Sequence, residues 1–195
     1  MQTENLSPQD SLDLIQSMIN KTKSAVADNS VFFLLWGWVV FSACVVQYVL
    51  KNVLHYQYHY YAWFLIIIGI AGSVFLGVQQ GKKQKVKTYV SESINYLWIS
   101  IGITYFALGF IFAKIGYQNS FTFYILLYGI GCFVTGRLIK FSPLVWGGIG
   151  AWLLAVLSAY LDYDTNILVS AISILISYII PGYLLRMKYK RITTT

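Results

Sequence analysis

Six stretches of this chain, 31–50, 61–78, 94–113, 121–136, 142–161 and 167–185, contain no charged side chain and are dominated by apolar ones. About 20 such residues in a helix cross the hydrocarbon core of a bilayer, and six of them use most of a 195-residue chain. Only short connectors, a polar N-terminal segment and a basic tail are left, so no separate soluble domain is expected. Only helices and closed barrels satisfy every backbone group inside a membrane. Barrel strands alternate apolar and polar residues, whereas Phe64-Leu65-Ile66-Ile67-Ile68 does not alternate, so the fold class is all-α. Composition agrees: 11% of residues are charged and 57% hydrophobic, against about 25% charged in soluble domains. The surplus apolar surface must face lipid.

The basic residues then orient the chain. Lys21, Lys23, Lys82, Lys83, Lys85, Lys87, Arg137, Lys140, Arg186, Lys188, Lys190 and Arg191 fall on one side of such a six-span layout, and only Lys51 and Lys114 fall on the other. Positive residues stay inside, which predicts a multi-pass membrane protein with both termini cytoplasmic. The net charge of +7 is on this reading an inner-surface property. The dense cluster Lys82, Lys83, Lys85 and Lys87 suits anionic lipid headgroups, at about 1 kcal/mol per charge. Nucleic acid is not expected as a partner, since base stacking or reading needs more than charge.

Three units follow: residues 1–30 as a cytoplasmic amphipathic helix, 31–186 as the bundle and 187–195 as a basic tail. Ser7 and Pro8 suit a helix start, and Asp10 suits the positive end of its dipole. At about 100° per residue, Leu12, Ile15, Met18 and Ile19 share an apolar face opposite Asp10, Asp13, Gln16 and Asn20. Such a helix lies in the membrane interface. Its acidic polar face departs from a pure lipid binder, which leaves a docking face for a protein partner as the alternative.

The spans contain no Asp, Glu, His, Lys or Arg, the residues on which proton relays and intramembrane acid catalysis depend. No enzymatic activity and no cofactor are expected. Cys44 and Cys132 sit alone inside spans and read as small buried residues. His55 and His59, four apart, have a spacing seen in helical metal sites, yet they belong to an aromatic stretch, Leu54-His55-Tyr56-Gln57-Tyr58-His59-Tyr60-Tyr61, that suits an interfacial belt. Two stripes of small residues, Gly69, Ser73 and Gly77 in the second span and Gly147, Ala151, Ala155 and Ala159 in the fifth, allow close helix approach. They mark those two spans as the central helices, with pairing of two copies of the chain as the less favoured alternative, because six short-looped helices must pack on one another in any case. Pro181-Gly182 predicts a kink that steers the basic tail. At mid-depth, Thr104, Tyr105, Tyr128, Trp152 and Tyr178 are candidates for an uncharged aromatic pocket, or else for ordinary interhelical bonding.

Span 1 carries Leu34-Leu35-Trp36-Gly37-Trp38 and span 5 Leu144-Val145-Trp146-Gly147-Gly148, a short echo that suits tryptophan anchors at the interface. The order of Ser11-Leu12-Asp13-Leu14-Ile15, Leu35-Trp36-Gly37-Trp38, Thr135-Gly136, Phe141 to Gly148 and Pro181-Gly182-Tyr183-Leu184-Leu185 resembles a family of small six-span bacterial inner-membrane proteins with no assigned activity. The resemblance covers nearly the whole chain; it implies a fold and a compartment, and no site. Two functions fit this reading: a non-enzymatic scaffold or regulatory subunit that docks partners through its N-terminal helix and basic face, or a facilitator or channel for a small neutral or aromatic molecule through the mid-depth pocket.

Overall fold

The computed structural model describes residue 9 and residues 30–83 and 89–193, with backbone alone at 80, 83 and 189–193. Helix α1 runs Ser30–Val53, its last turn, Val49–Val53, widened into a π turn. A 3-10 stretch His59–Phe64 leads into Leu65–Lys83, and together they form α2. Helices α3, Tyr89–Ile115, α4, Ser120–Leu138, and α5, Ser142–Ser158, follow. The last helix, α6, is Tyr163–Ile174, a π turn Leu175–Ile179, and Ile180–Thr193. Among the described residues there is no strand. Five helices, α1, α2, α3, α4 and α6, are long and apolar enough to cross a membrane, and α5 is a shorter apolar helix of 17 residues.

The three turns from α3 to α6 each have a local cause. Gly116 takes the left-handed conformation, φ 98°, just past α3, and its N–H bonds Phe112 O at 2.8 Å, the usual glycine helix stop. After α4 the same conformation falls on Lys140, φ 53°, and Phe141 N–H reaches back to Gly136 O at 2.8 Å. Proline in the first turn then opens α5. Asp162 caps α6, accepting from the amides of Asp164 and Thr165 at 3.1 Å and from the Thr165 hydroxyl at 2.7 Å.

Helices α4, α5 and α6, with the inner face of α1 (Phe33, Val40 and Cys44), make the core, and α4 packs extensively on α5. Gly136 lies against the backbone of Val145 at one end of the α4–α5 pair, and Thr122 Oγ1 meets Ser158 Oγ at 2.7 Å at the other. The stripe on α5 does what its spacing predicts over three of its four residues: Gly147, Ala151 and Ala155 are buried, and Gly147 abuts the backbone of Ile176 and Ser177, while Ala159 lies past the helix end and is exposed. The stripe on α2 does not. Only 11% of the apolar window of α2 is buried, against 61% in α6, so α2 is peripheral rather than central. Gly69 receives the Trp36 ring, Gly72 the Leu35 side chain, and Gly77 has no neighbour within 4 Å among the described residues. Bulky side chains fill this groove, which keeps the two helix backbones apart.

The distortion in α6 falls one turn before Pro181 rather than at it, and the helix continues through Pro181 to Thr193. Proline withholds the N–H that a regular helix would give to the carbonyl of Ser177. Cys132 of α4 supplies a donor instead, its Sγ 3.3 Å from Ser177 O. The widened turn needs room, and two glycines give it. Gly37 of α1 faces Tyr178 and Ile179, and Gly147 of α5 faces Ile176, Ser177 and Pro181. The two Trp-Gly pairs therefore flank one turn of α6 from two sides, while Trp38 and Trp146 remain exposed.

Candidate functional site

Three of the mid-depth aromatics come together. Tyr105 of α3, Tyr128 of α4 and Tyr178 of α6 form a chain of rings, with centroids 5.4 Å apart for Tyr105–Tyr128 and 5.3 Å for Tyr128–Tyr178. Phe33 and Trp98 close it on one side, at 5.5 and 5.8 Å from the Tyr178 ring, and Tyr105 Oη donates to Tyr124 O at 3.2 Å. These separations are those of packed aromatic pairs. The other two residues of the expected pocket lie elsewhere. Thr104 is exposed on α3 and donates to its own Ser100 O at 2.8 Å. Trp152 sits in the gap left by Gly129, donates to Leu126 O at 3.2 Å and packs on Phe133. Residues at one depth share a height but not a direction; one position along a helix turns a side chain by about 100°.

A second cluster lies where α1 ends and α2 and α6 begin. Gln47, 1% exposed, is its centre. Its Oε1 accepts from Trp63 Nε1 at 2.7 Å, and its Nε2 lies 3.1 Å from Tyr163 Oη and 3.3 Å from His59 Nδ1. One turn on, Lys51 pairs with Asp164, and its ammonium stands 4.6 Å from the centre of the Tyr163 ring. The π turn of α1 carries Lys51 into this position. The hydrogen bonds from Thr165 hold the nearby Asp162 carboxyl below its ordinary range. Sequence reasoning missed this cluster, because an amide in an apolar run carries no charge to betray it; the signal was that Gln47 is the lone carboxamide in its span.

His55 and His59 part company in this region. His55 is exposed in left-handed backbone, φ 48°, while the His59 ring turns to Gln47. Among the described residues no group of three or more His, Cys, Asp or Glu side chains is placed to hold a metal. The aromatic stretch forms a ladder on the surface, with Tyr58 and Tyr61 stacked at 5.5 Å and Tyr61 against Phe64 at 5.5 Å. Cys44 and Cys132 are both free and buried.

At the opposite end, Lys82, Arg137, Lys140, Arg186 and Lys188 are exposed, and Lys188 lies 5.4 Å from the centre of the Phe141 ring. Lys85, Lys87, the side chain of Lys83 and the expected docking face of Leu12, Ile15, Met18 and Ile19 lie outside the described residues.

Fold and site together define an all-helical, multi-pass membrane protein with an aromatic core. No family model, curated protein or solved structure matches the chain.

Proposed function

We propose that this chain is a six-span protein of a bacterial inner membrane, with both termini cytoplasmic, that works without catalysis as a scaffold or regulatory subunit. The observation that carries the reading is the contrast between its interior and its flanks. Tyr105, Tyr128 and Tyr178 fill the centre ring against ring, with Trp152 turned away behind α4, an arrangement that suits a load-bearing core better than a solute route. Helices α2 and α3 keep long apolar faces uncovered, such as Ile67, Ile68, Phe75, Ile103, Phe106 and Phe110, where lipid or partner helices would lie.

Counting α5 as the sixth span is supported by its contacts. It runs the length of α4, from Gly136 and Val145 at one end to Thr122 and Ser158 at the other, so it crosses the same thickness as a helix long enough to span. The cytoplasmic assignment rests on the basic end of the bundle, with Arg137, Lys140, Arg186 and Lys188, to which anionic headgroups would bind. The 1–30 segment, with Leu12, Ile15, Met18 and Ile19 on one face, is the docking element for a protein partner.

Affinity capture from native membranes tests this, comparing the full chain with one lacking residues 1–28. Partners recovered with the full chain and lost with the shortened one are expected. Equal recovery from both removes the docking role, and flux of a neutral solute into vesicles holding the purified protein overturns the scaffold reading.

A further inference from the structure

The hydrogen bonds around Gln47 admit only one protonation state of His59. An indole nitrogen can only donate, so the Gln47 atom facing Trp63 Nε1 at 2.7 Å is the oxygen. That fixes the carboxamide, whose Nε2 then points at Tyr163 Oη and at His59 Nδ1. An amide nitrogen only donates, so His59 Nδ1 must accept, and its ring must be neutral with the proton on Nε2. An imidazolium donates from both nitrogens, and its Nδ1–H would face the N–H of Gln47. Turning the amide over gives no relief, because its NH2 would then face the Trp63 N–H.

The surroundings offer the added charge little compensation. Lys51 projects from the last turn of α1, and its partner Asp164 at the start of α6 is already engaged. Tyr163 and Asp162 lie beside Asp164 in α6, Tyr60 stands edge-on to the His59 ring at 6.1 Å, and His55 is on the same loop. The acceptor on His59 matters because α2 is shallowly packed among the described residues, its other attachments there including Trp63 to Gln47 and Phe121, Trp36 Nε1 to Ser73 Oγ at 2.8 Å, and the Gly69 and Gly72 contacts.

We propose that His59 is an acid-sensitive latch: its protonation breaks the Gln47 contact and frees the start of α2, with the tyrosine ladder, from α1 and α6. The latch is independent of what the protein scaffolds. It closes when the ring is neutral and opens in acid, below the ordinary imidazole range, because burial and the nearby Lys51 charge disfavour the imidazolium.

Spin labels on Gln57→Cys and Tyr160→Cys in the full chain, reconstituted in bilayer discs, test it. Both positions are exposed, and both native cysteines are buried. The distance distribution is expected to be narrow at about pH 7.5 and to lengthen and broaden at about pH 5. His59→Asn places an amide oxygen where Nδ1 was and removes the titration, so that variant should stay narrow at both, while His55→Asn should still respond. An unchanged distance in the parent chain, a response kept by His59→Asn, or one lost in His55→Asn overturns the latch. Ring 15N shifts of the unaltered protein read the same point without mutation: proton on Nε2 near neutral pH is expected, and proton on Nδ1 overturns the proposal.

Discussion

Gly148 in α5 and Gly102 in α3 are the same residue in the same kind of apolar helix, yet they do opposite things. A methyl on Gly148 would stand 2.7 Å from Phe133 N and 2.8 Å from Gly129 O, whereas none of the described residues comes within 4 Å of one on Gly102. Gly148 lets two backbones touch; Gly102 faces away from the bundle. Three helices, α4, α5 and α6, are built around contacts of the first kind, and α3 makes its contacts with large rings instead. Trp98 lies over Gly131 and beside Phe33, and Tyr105 lies on Tyr128. Small residues therefore mark the core only where a backbone arrives to use them.

Substitutions break or sharpen this contrast. Gly148→Ala should destabilise most, by about 1–3 kcal/mol, since backbone atoms cannot step aside as a side chain can; reversible unfolding in mixed detergent measures it, and an unchanged transition would erase the distinction between core and flank. Cys132→Ala removes the thiol that donates to Ser177 O deep in α6 and should cost about 1 kcal/mol. Pairing it with Pro181→Ala, which restores a backbone N–H, should return part of that loss in a double-mutant cycle; independent effects would mean that the thiol only fills space.

A smaller effect concerns the first turn of α6. Thr165 holds the Asp162 carboxyl below its ordinary value, so the folded value lies below the unfolded one of about 3.9. The cap is then fully effective above that unfolded value and is lost as the pH falls through the folded one. Protection of the Asp164 and Thr165 amides from exchange should drop in acid in the parent and stay level in Asp162→Asn. At the bottom of the scale, Gly102→Ala should change stability by no more than about 0.5 kcal/mol. A large loss there would reveal a neighbour pressed against α3 in the membrane.

The apolar runs foretold where the helices lie, because the cost of a charge in hydrocarbon is written directly into composition. Which helix sits in the middle was not legible. The repeats Gly69-Ser73-Gly77 and Gly147-Ala151-Ala155 are alike as text, and only the arrival of Trp36 at one and the α6 backbone at the other separates them. Part of the aromatic centre could be read: depth along each span selected Tyr105, Tyr128 and Tyr178, but it also selected Thr104 and Trp152, since depth fixes no azimuth. The Gln47 cluster was invisible because its partners come from residues 12, 16 and 116 positions away, with no local pattern joining them.

The widened turn of α6 also sets a mechanical limit. A helix of uniform girth can slide lengthwise between its neighbours, and apolar helices in lipid have little but shape to stop them. Leu175–Ile179 is a thicker segment held in a notch between Gly37 and Gly147, like a knot on a cord passed through a ring. Axial travel of α6 in either direction would drive that knot against full-sized side chains. The notch therefore resists sliding of α6 against α1 and α5, and adjustment to a thinner or thicker bilayer falls to tilt of the bundle as a unit or to the lipid.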